Sequence, residues 1–461
     1  METPISKDSV GLVCPDRVST SSGHSNWDLA FYGLLGYFLI QYSRLPEMFP
    51  VLQPFQLGKM AVALAVVGMI VSAGSRKPTP GTVWSVDACL GFLLFVSVLS
   101  ASFAEYQEPA WVQVINTFQW CVIYFIISRV AASSGRLQVC LFVILLLNLK
   151  LAQFVVRTYL SPGAMRFGEE ALAVQGVGAG TTGFFGNAGD LGVAMCVVWP
   201  LAGAMFVAET RRWRKWFFAA CFFAFLGAIV ASSSRGAMLG AGVVSLVAFM
   251  RSSKRILGAF MMLAVVVAFF LFASGASRAR MQSALDPEHD KTSNDRLEKW
   301  KAGMKMFSEH PFLGVGPANF APEYWTEHPR WHRLMATAPH SIYVEGLSEL
   351  GIFGFMPLLI AWVLLARLNA RTRKLLRSIG PERCQGFEYH LSLGLDLAFV
   401  GYLVSGAFLT VLYYPHLWVL LGLSAALHGA TTSEVNANHA PKFDNWERVV
   451  LRGDLSATDV C

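Results

Sequence analysis

The stretch VWSVDACLGFLLFVSVLSASFA, Val83–Ala104, carries one charged side chain, Asp87, in twenty-two positions. Wound as an α-helix at about 1.5 Å per residue it would be about 33 Å long, enough to cross about 30 Å of hydrocarbon. Apolar blocks of the same kind recur at Trp27–Tyr42, Gly58–Gly74, Trp111–Ala132, Leu137–Leu160, Phe184–Ala208 and Trp216–Ala231. They continue at Gly236–Met250, Ile256–Gly275, Ser341–Ala366, Leu391–Leu412 and Leu417–His428. The expectation is an all-α polytopic membrane protein with about twelve transmembrane helices. Nine precede a polar insert at 276–340 and three follow it. Short tails, 1–26 and 431–461, are expected in the cytoplasm.

Composition agrees with this. The chain of 461 residues is 54% hydrophobic and only 15% charged, with a mean hydropathy of +0.47. A soluble chain of this length needs charges near a quarter of its residues. The net charge of +7 sits in short segments between apolar blocks, which is a pattern of topology and not of a nucleic-acid-binding stripe. Most of the eight cysteines lie inside apolar blocks and no CxxC occurs, so neither a disulfide frame nor a zinc site is expected. Residues 1–26 lack an apolar core with a small-residue cleavage site, unlike a secretory signal.

Lys and Arg set the orientation. Seventeen fall on one side of the spans, in the clusters around 76–77, 129–136, 211–215, 251–255 and 367–383; the short loops on the other side hold five, Arg44, Lys59, Arg157, Arg166 and Arg235. The positive-inside bias then puts both termini in the cytoplasm and Ser277–Pro339 outside. Arg235, in the four-residue connection of IVASSSRGAMLG, runs against that bias. Two readings stand for it: it snorkels to headgroups, or it faces a cavity and binds an anion. Lys150, Asp190, Glu345 and Glu349 are further charges in or near apolar blocks. Glu345 and Glu349 are four apart and share a helix face; Lys150 is expected to pair with a carboxylate inside the bundle.

The outer segment has structure of its own. NDRLEKWKAGMKMF, Asn294–Phe307, places Leu297, Trp300, Met304 and Phe307 at helical spacing, a face that needs an apolar surface to bury against. Asn294 or Asp295 can cap its start, His310-Pro311 ends it, and Gly314-Val315-Gly316-Pro317 forms a turn. The segment is expected to fold back over the bundle mouth. His328 and His332 stand at metal-ligand spacing after Glu327, but Pro329 opposes a helix there and HPRWH is not HExxH, so no metal is expected.

Taken in order, these motifs are a short SRG connection between two spans, R-x3-W-x9-HPFLGVGPANF, then APHS-x-Y at a helix start and ELG-x2-G. Over roughly 183–354 the chain resembles the O-antigen ligase and O-antigen polymerase superfamily of bacterial lipid-linked glycan transferases, with Ser341 where that family commonly has Asn. The resemblance implies a GT-C-type membrane glycosyltransferase of the bacterial inner membrane, active on its outer face. Its donor would be a lipid-linked oligosaccharide or polysaccharide on polyprenyl (undecaprenyl) diphosphate. Its acceptor would be a lipid A core, another glycan or a protein, with no cofactor, metal or nucleic acid involved. By motif position Arg235 and Arg296 would hold the diphosphate and His340 would act on the acceptor hydroxyl, with Arg166, Glu345 and Lys150 as supporting residues. Arginine presents a fixed fork to phosphate oxygens, and a neutral imidazole can take a hydroxyl proton. A solute transporter is the competing reading, though repeat halves with matching broken helices are not seen; an assembly component that binds a partner outside is a third.

Overall fold

The computed structural model describes residues 27–43, 45–75, 81–160, 188–232, 234–251, parts of 259–267, 291–327 and 338–439. The expectations for the N-terminal tail, most of Ile256–Gly275, Arg166, residues 276–290, His328, His332 and residues 440–461 lie outside these. Every regular element among the described residues is helical. The longer helices, in chain order, are α1 (Leu29–Ser43), α2 (Leu57–Val71), α3 (Gly81–Phe103), α4 (Gln107–Val130), α5 (Ser134–Leu160) and α6 (Ala188–Ala208). Then come α7 (Arg212–Ala231), α8 (Arg235–Arg251), α9 (Lys291–Glu309), α10 (Phe320–Glu327), α11 (Ile342–Ile379), α12 (Phe387–Gly406) and α13 (Pro415–His439).

Seven segments are long and apolar enough to cross a membrane by length and composition: Pro50–Val71, Val83–Phe103, Gln107–Val130, Ser134–Arg157, Gly189–Ala208, Arg212–Ala231 and Ile342–Ile379. The fold is that of an all-helical polytopic membrane protein. Of the other expected spans, α1, α8, α12 and α13 form helices packed into the same bundle that are shorter or more polar than that measure requires. Boundaries move where local chemistry decides them. Leu391–Leu412 ends at Gly406, because Ala407–Tyr414 turns back toward α13, and Leu417–His428 extends on both sides to Pro415–His439, past the expected start of a tail at 431.

Large apolar side chains on the bundle's outside, such as Ile70, Phe103 and Met250, are exposed, as lipid-facing positions are. Inside, small residues bring backbones together. A Cβ on Gly33 would lie 2.4 Å from Ala65 N, and one on Gly68 would lie 2.2 Å from Ala30 N, so α1 and α2 touch along their main chains. One end of the bundle is pinned by ion pairs. Arg129 bonds Asp87, Arg136 lies 3.4 Å from Asp28, and Arg373 and Arg251 reach Asp396 at 2.9 and 3.1 Å. Arg383 bonds Glu434 there. These arginines all belong to the set of seventeen. Of their carboxylate partners only Asp396 is buried, and there the paired arginines offset the cost of sinking its charge.

The opposite end carries the polar insert, and α11 is opened to receive it. Gly351 sits at φ 60°, ψ −169°, inside an otherwise continuous 38-residue helix. In an unbroken helix Ile352 N–H would bond Ser348 C=O and Phe353 N–H would bond Glu349 C=O. Instead, Ile352 N–H donates to Pro311 O (2.8 Å) and Phe353 N–H to Phe312 O (3.1 Å). The released carbonyls of Ser348 and Glu349 accept from Val315 N–H (2.9 Å) and Gly316 N–H (3.1 Å). All four groups are satisfied by the loop at 311–316, which is how non-helical backbone survives at membrane depth.

Only glycine fits at 351. That backbone conformation is closed to other residues, and an added Cβ would meet Phe312 C and O at 2.5 Å. Gly351→Ala is expected to cost on the order of 3 kcal/mol, seen as a clear drop in the thermal midpoint of the detergent-purified protein by fluorescence-detected size exclusion. An unchanged midpoint would show that α11 is not broken there.

Candidate functional site

The insert builds a small core of its own from Ala302, Met306, Val315, Phe320 and Tyr324. Its long helix, α9, begins at Lys291, so Asn294 and Asp295 lie within the helix and do not cap it as expected. The expected burial face is also corrected. Leu297 and Met304 are exposed, 48% and 45%, whereas Lys299, Ala302, Gly303 and Met306 are buried. The reason is the small pair at 302–303: a Cβ on Gly303 would stand 2.4 Å from Val344 Cγ1, so α9 can lie close against α11 only along that stripe. Lys299 is buried there by its stem, with its ammonium 2.8 Å from Asp295.

After α9, Gly314 (φ +68°) and Gly316 (φ +111°) shape the expected turn. Asn319 then fastens the insert to the α3–α4 connection: its side chain accepts from Tyr106 N–H (3.1 Å) and donates to Tyr106 O (3.0 Å). Ser100 Oγ donates to Leu313 O (2.7 Å) from the end of α3. Glu349, fully inside, accepts from Ala318 N–H (2.9 Å), Phe320 N–H (3.3 Å) and Tyr413 O–H (2.8 Å). Glu345, one turn earlier on the same face, is equally buried; one carboxylate oxygen receives the Leu412 backbone N–H and Oε2 has no hydrogen-bond partner. The shared face expected for the two glutamates points into the protein, under the connection between α12 and α13.

His340 stands where the insert returns to the bundle, two residues before α11. Its backbone is left-handed, φ +50°, and its N–H donates to Thr410 Oγ1 (3.0 Å) in the α12–α13 connection. Trp300 of α9 donates from Nε1 to Pro339 O (2.9 Å) and its ring lies 6.2 Å from that of Phe408. Arg235 is the first residue of α8, whose amino end Ser234 caps by accepting Ala237 N–H (3.3 Å). Gly236 packs against the same connection: a Cβ there would lie 3.2 Å from Phe408 Cβ and 3.4 Å from Ser405 O. Arg235, α9 and His340 are therefore arranged around one corner of the bundle, residues 405–414.

The electrostatics of this corner are set by α9. His340 is pushed down to about 4, first by burial and then by the nearby positive charges of Lys299 and Arg296, against a smaller opposing pull from Asp295. Its imidazole is thus neutral at physiological pH, with a lone pair free to accept a proton. An anion in the same place would sit at the positive amino end of α8 beside Arg235, with Arg296 and Lys299 on the facing helix. Removing Lys299 takes away a repelling cation and unmasks Asp295, and both changes favour the protonated ring. In Lys299→Ala the carbethoxylation of His340, which requires neutral imidazole, is expected to titrate at a higher pH than its midpoint near 4 in the unmodified protein. Mass spectrometry of the His340 peptide reads this, and an unmoved midpoint would place Lys299 away from the ring.

Of the two remaining supporting residues only Lys150 is among the described residues, and it does not join this group. Lys150 is exposed on α5, not inside the bundle as expected, and Arg166 falls outside the described residues. Sequence reasoning missed Thr410, Tyr413 and Tyr414: TVLYY reads as the end of an apolar block and carries no motif. Tyr414 O–H donates to Asp190 Oδ2 (2.7 Å) on α6, which gives that intramembrane acid its place.

Among curated proteins none matches this chain. Residues 219–359, which hold Arg235, α9, α10 and His340, match the O-antigen ligase family. The match covers under a third of the chain; it supports a relation to the O-antigen ligase superfamily, and together with the apolar helices it is what a membrane enzyme of O-antigen ligase type would show.

Proposed function

We propose that the protein transfers a glycan from a polyprenyl (undecaprenyl) diphosphate to an acceptor hydroxyl at the outer face of the bacterial inner membrane, in a GT-C-type arrangement and without a metal. The observation that carries this reading is the neutral His340 set among the cations of α9, beside the amino end of α8 with Arg235. His340 takes the proton of the acceptor hydroxyl as its oxygen attacks the anomeric carbon. The bond from that carbon to the diphosphate breaks, and the electron pair leaves with the diphosphate oxygen. Arg235 and Arg296 hold the departing charge with forked hydrogen bonds, which strengthen as the charge develops.

The test is transfer by the purified protein from a polyprenyl-diphosphate-linked glycan to lipid A core, with chelator present. Product formation supports the ligase reading. Transfer to a second lipid-linked glycan alone makes the protein a polymerase, and transfer to a protein alone makes it a protein ligase. Solute uptake into liposomes with no dependence on the lipid-linked donor would replace the enzyme reading with transport. Orientation is read separately, by labelling single cysteines placed in 300–320 from outside intact spheroplasts; labelling only after permeabilisation would invert the topology.

A further inference from the structure

The connection between α12 and α13 contains Thr410-Val411-Leu412-Tyr413-Tyr414, and each of these five consecutive residues is tied to a different partner. Val411 O accepts from Tyr402 O–H (2.9 Å) on α12, and Leu412 N–H bonds the Glu345 carboxylate on α11. Tyr413 O–H reaches Glu349 on α11 and Tyr414 O–H reaches Asp190 on α6. Four ties thus fix the corner to three helices of the bundle. The fifth runs the other way: Thr410 Oγ1 accepts the N–H of His340 at 3.0 Å.

The geometry points to Thr410 as the positioning residue for His340, the side chain that fixes where the imidazole stands; this rests on the transfer reading above. His340 has φ +50°, a conformation that residues with a Cβ rarely adopt and keep only when their surroundings over-determine it. On its amino side the Pro339 carbonyl is occupied by Trp300 Nε1–H, and its own N–H is held by Thr410. At the left-handed φ the Cβ projects differently from the way it does at negative φ, so the bond that holds φ also aims the ring. Without the acceptor, the backbone relaxes to the common region and the imidazole swings away while the corner, held by its other four ties, stays in place. A catalytic group displaced by about 1 Å loses on the order of a hundredfold in rate. Valine has the shape of threonine and no acceptor. Serine keeps the acceptor.

The experiment compares the full-length protein with Thr410→Val, Thr410→Ser, Tyr414→Phe and His340→Ala in the lipid-linked transfer assay. Thr410→Val is expected to lower kcat by about ten- to a hundredfold with KM for donor and acceptor unchanged, and Thr410→Ser to restore most of it. Tyr414→Phe, which removes a tie from the same corner without touching His340, is expected to stay near normal. If Thr410→Val does not insert, Thr410→Ala takes its place with the same expectation. Near-normal kcat in Thr410→Val or Thr410→Ala beside an inactive His340→Ala would overturn the positioning role and leave the transfer reading standing. An equal loss in Tyr414→Phe would also overturn it, because the whole corner and not Thr410 would then matter. An active His340→Ala would instead remove the transfer reading on which the inference stands.

Discussion

His340→Ala is expected to lose on the order of 10²–10⁴ in glycan transfer while remaining folded and inserted. The side chain is half-buried at the point where the insert meets α11, and alanine there removes no packed apolar core. What disappears is a neutral proton acceptor at the corner, held neutral by burial and by Lys299 and Arg296. Loss of that acceptor forces the attacking hydroxyl to shed its proton to water, in a place from which water is partly excluded. The comparison is initial rate of transfer from a polyprenyl-diphosphate-linked glycan, with elution on size exclusion to confirm the fold. Near-normal transfer would acquit His340. Abolition of the unmodified protein's activity by chelator would demand a metal in its place.

Arg235→Ala is expected to lower kcat by about 10²–10³, because one donor aimed at developing charge is worth on the order of 3 kcal/mol. Its position argues for this size of effect. Arg235 begins α8 at an amino end already capped by Ser234, so the helix keeps its cap without the arginine. The substitution therefore removes a charge and a forked donor and little structure. Arg235→Lys keeps the charge as a point and loses the fork, and is expected to recover only part of the rate. Equal activity of the lysine and arginine forms would make Arg235 a snorkelling residue, the other reading its sequence allows, and would leave Arg296 and Lys299 as the cations at the site.

Much of this was legible in the chain. The apolar blocks gave the helices because hydrocarbon imposes a length and forbids unpaired backbone, and the alternate arginines marked the end where Asp87, Asp28 and Asp396 wait for them. The helix in the insert was legible from its period, but its buried face was not. Leu297 and Met304 looked like anchors because they are large, while the contact is made through Ala302 and Gly303 because they are small. Arg235, Arg296 and His340 stood out by charge against topology and by motif. Thr410 and Tyr413 did not, since their importance lies in partners 70 and 64 residues away in sequence, and pairing at that separation leaves no periodic mark.

The opened turn at Gly351 leaves none of the main-chain groups it releases without a partner. Two bonds internal to α11, from Ile352 to Ser348 and from Phe353 to Glu349, are exchanged for four to the loop at 311–316, and two of those four replace solvation that Val315 and Gly316 would otherwise find in water. The opened helix thus gives up nothing in main-chain bonding to a straight one. Side chains add to this: the Glu349 carboxylate reaches Ala318, Phe320 and Tyr413 at once, Asn319 bonds Tyr106 in both directions, and Ser100 holds Leu313 O. Loss of any one of these holds leaves the others in place, so the loop at 311–316 is built as a fixed wall and not as a door on a latch.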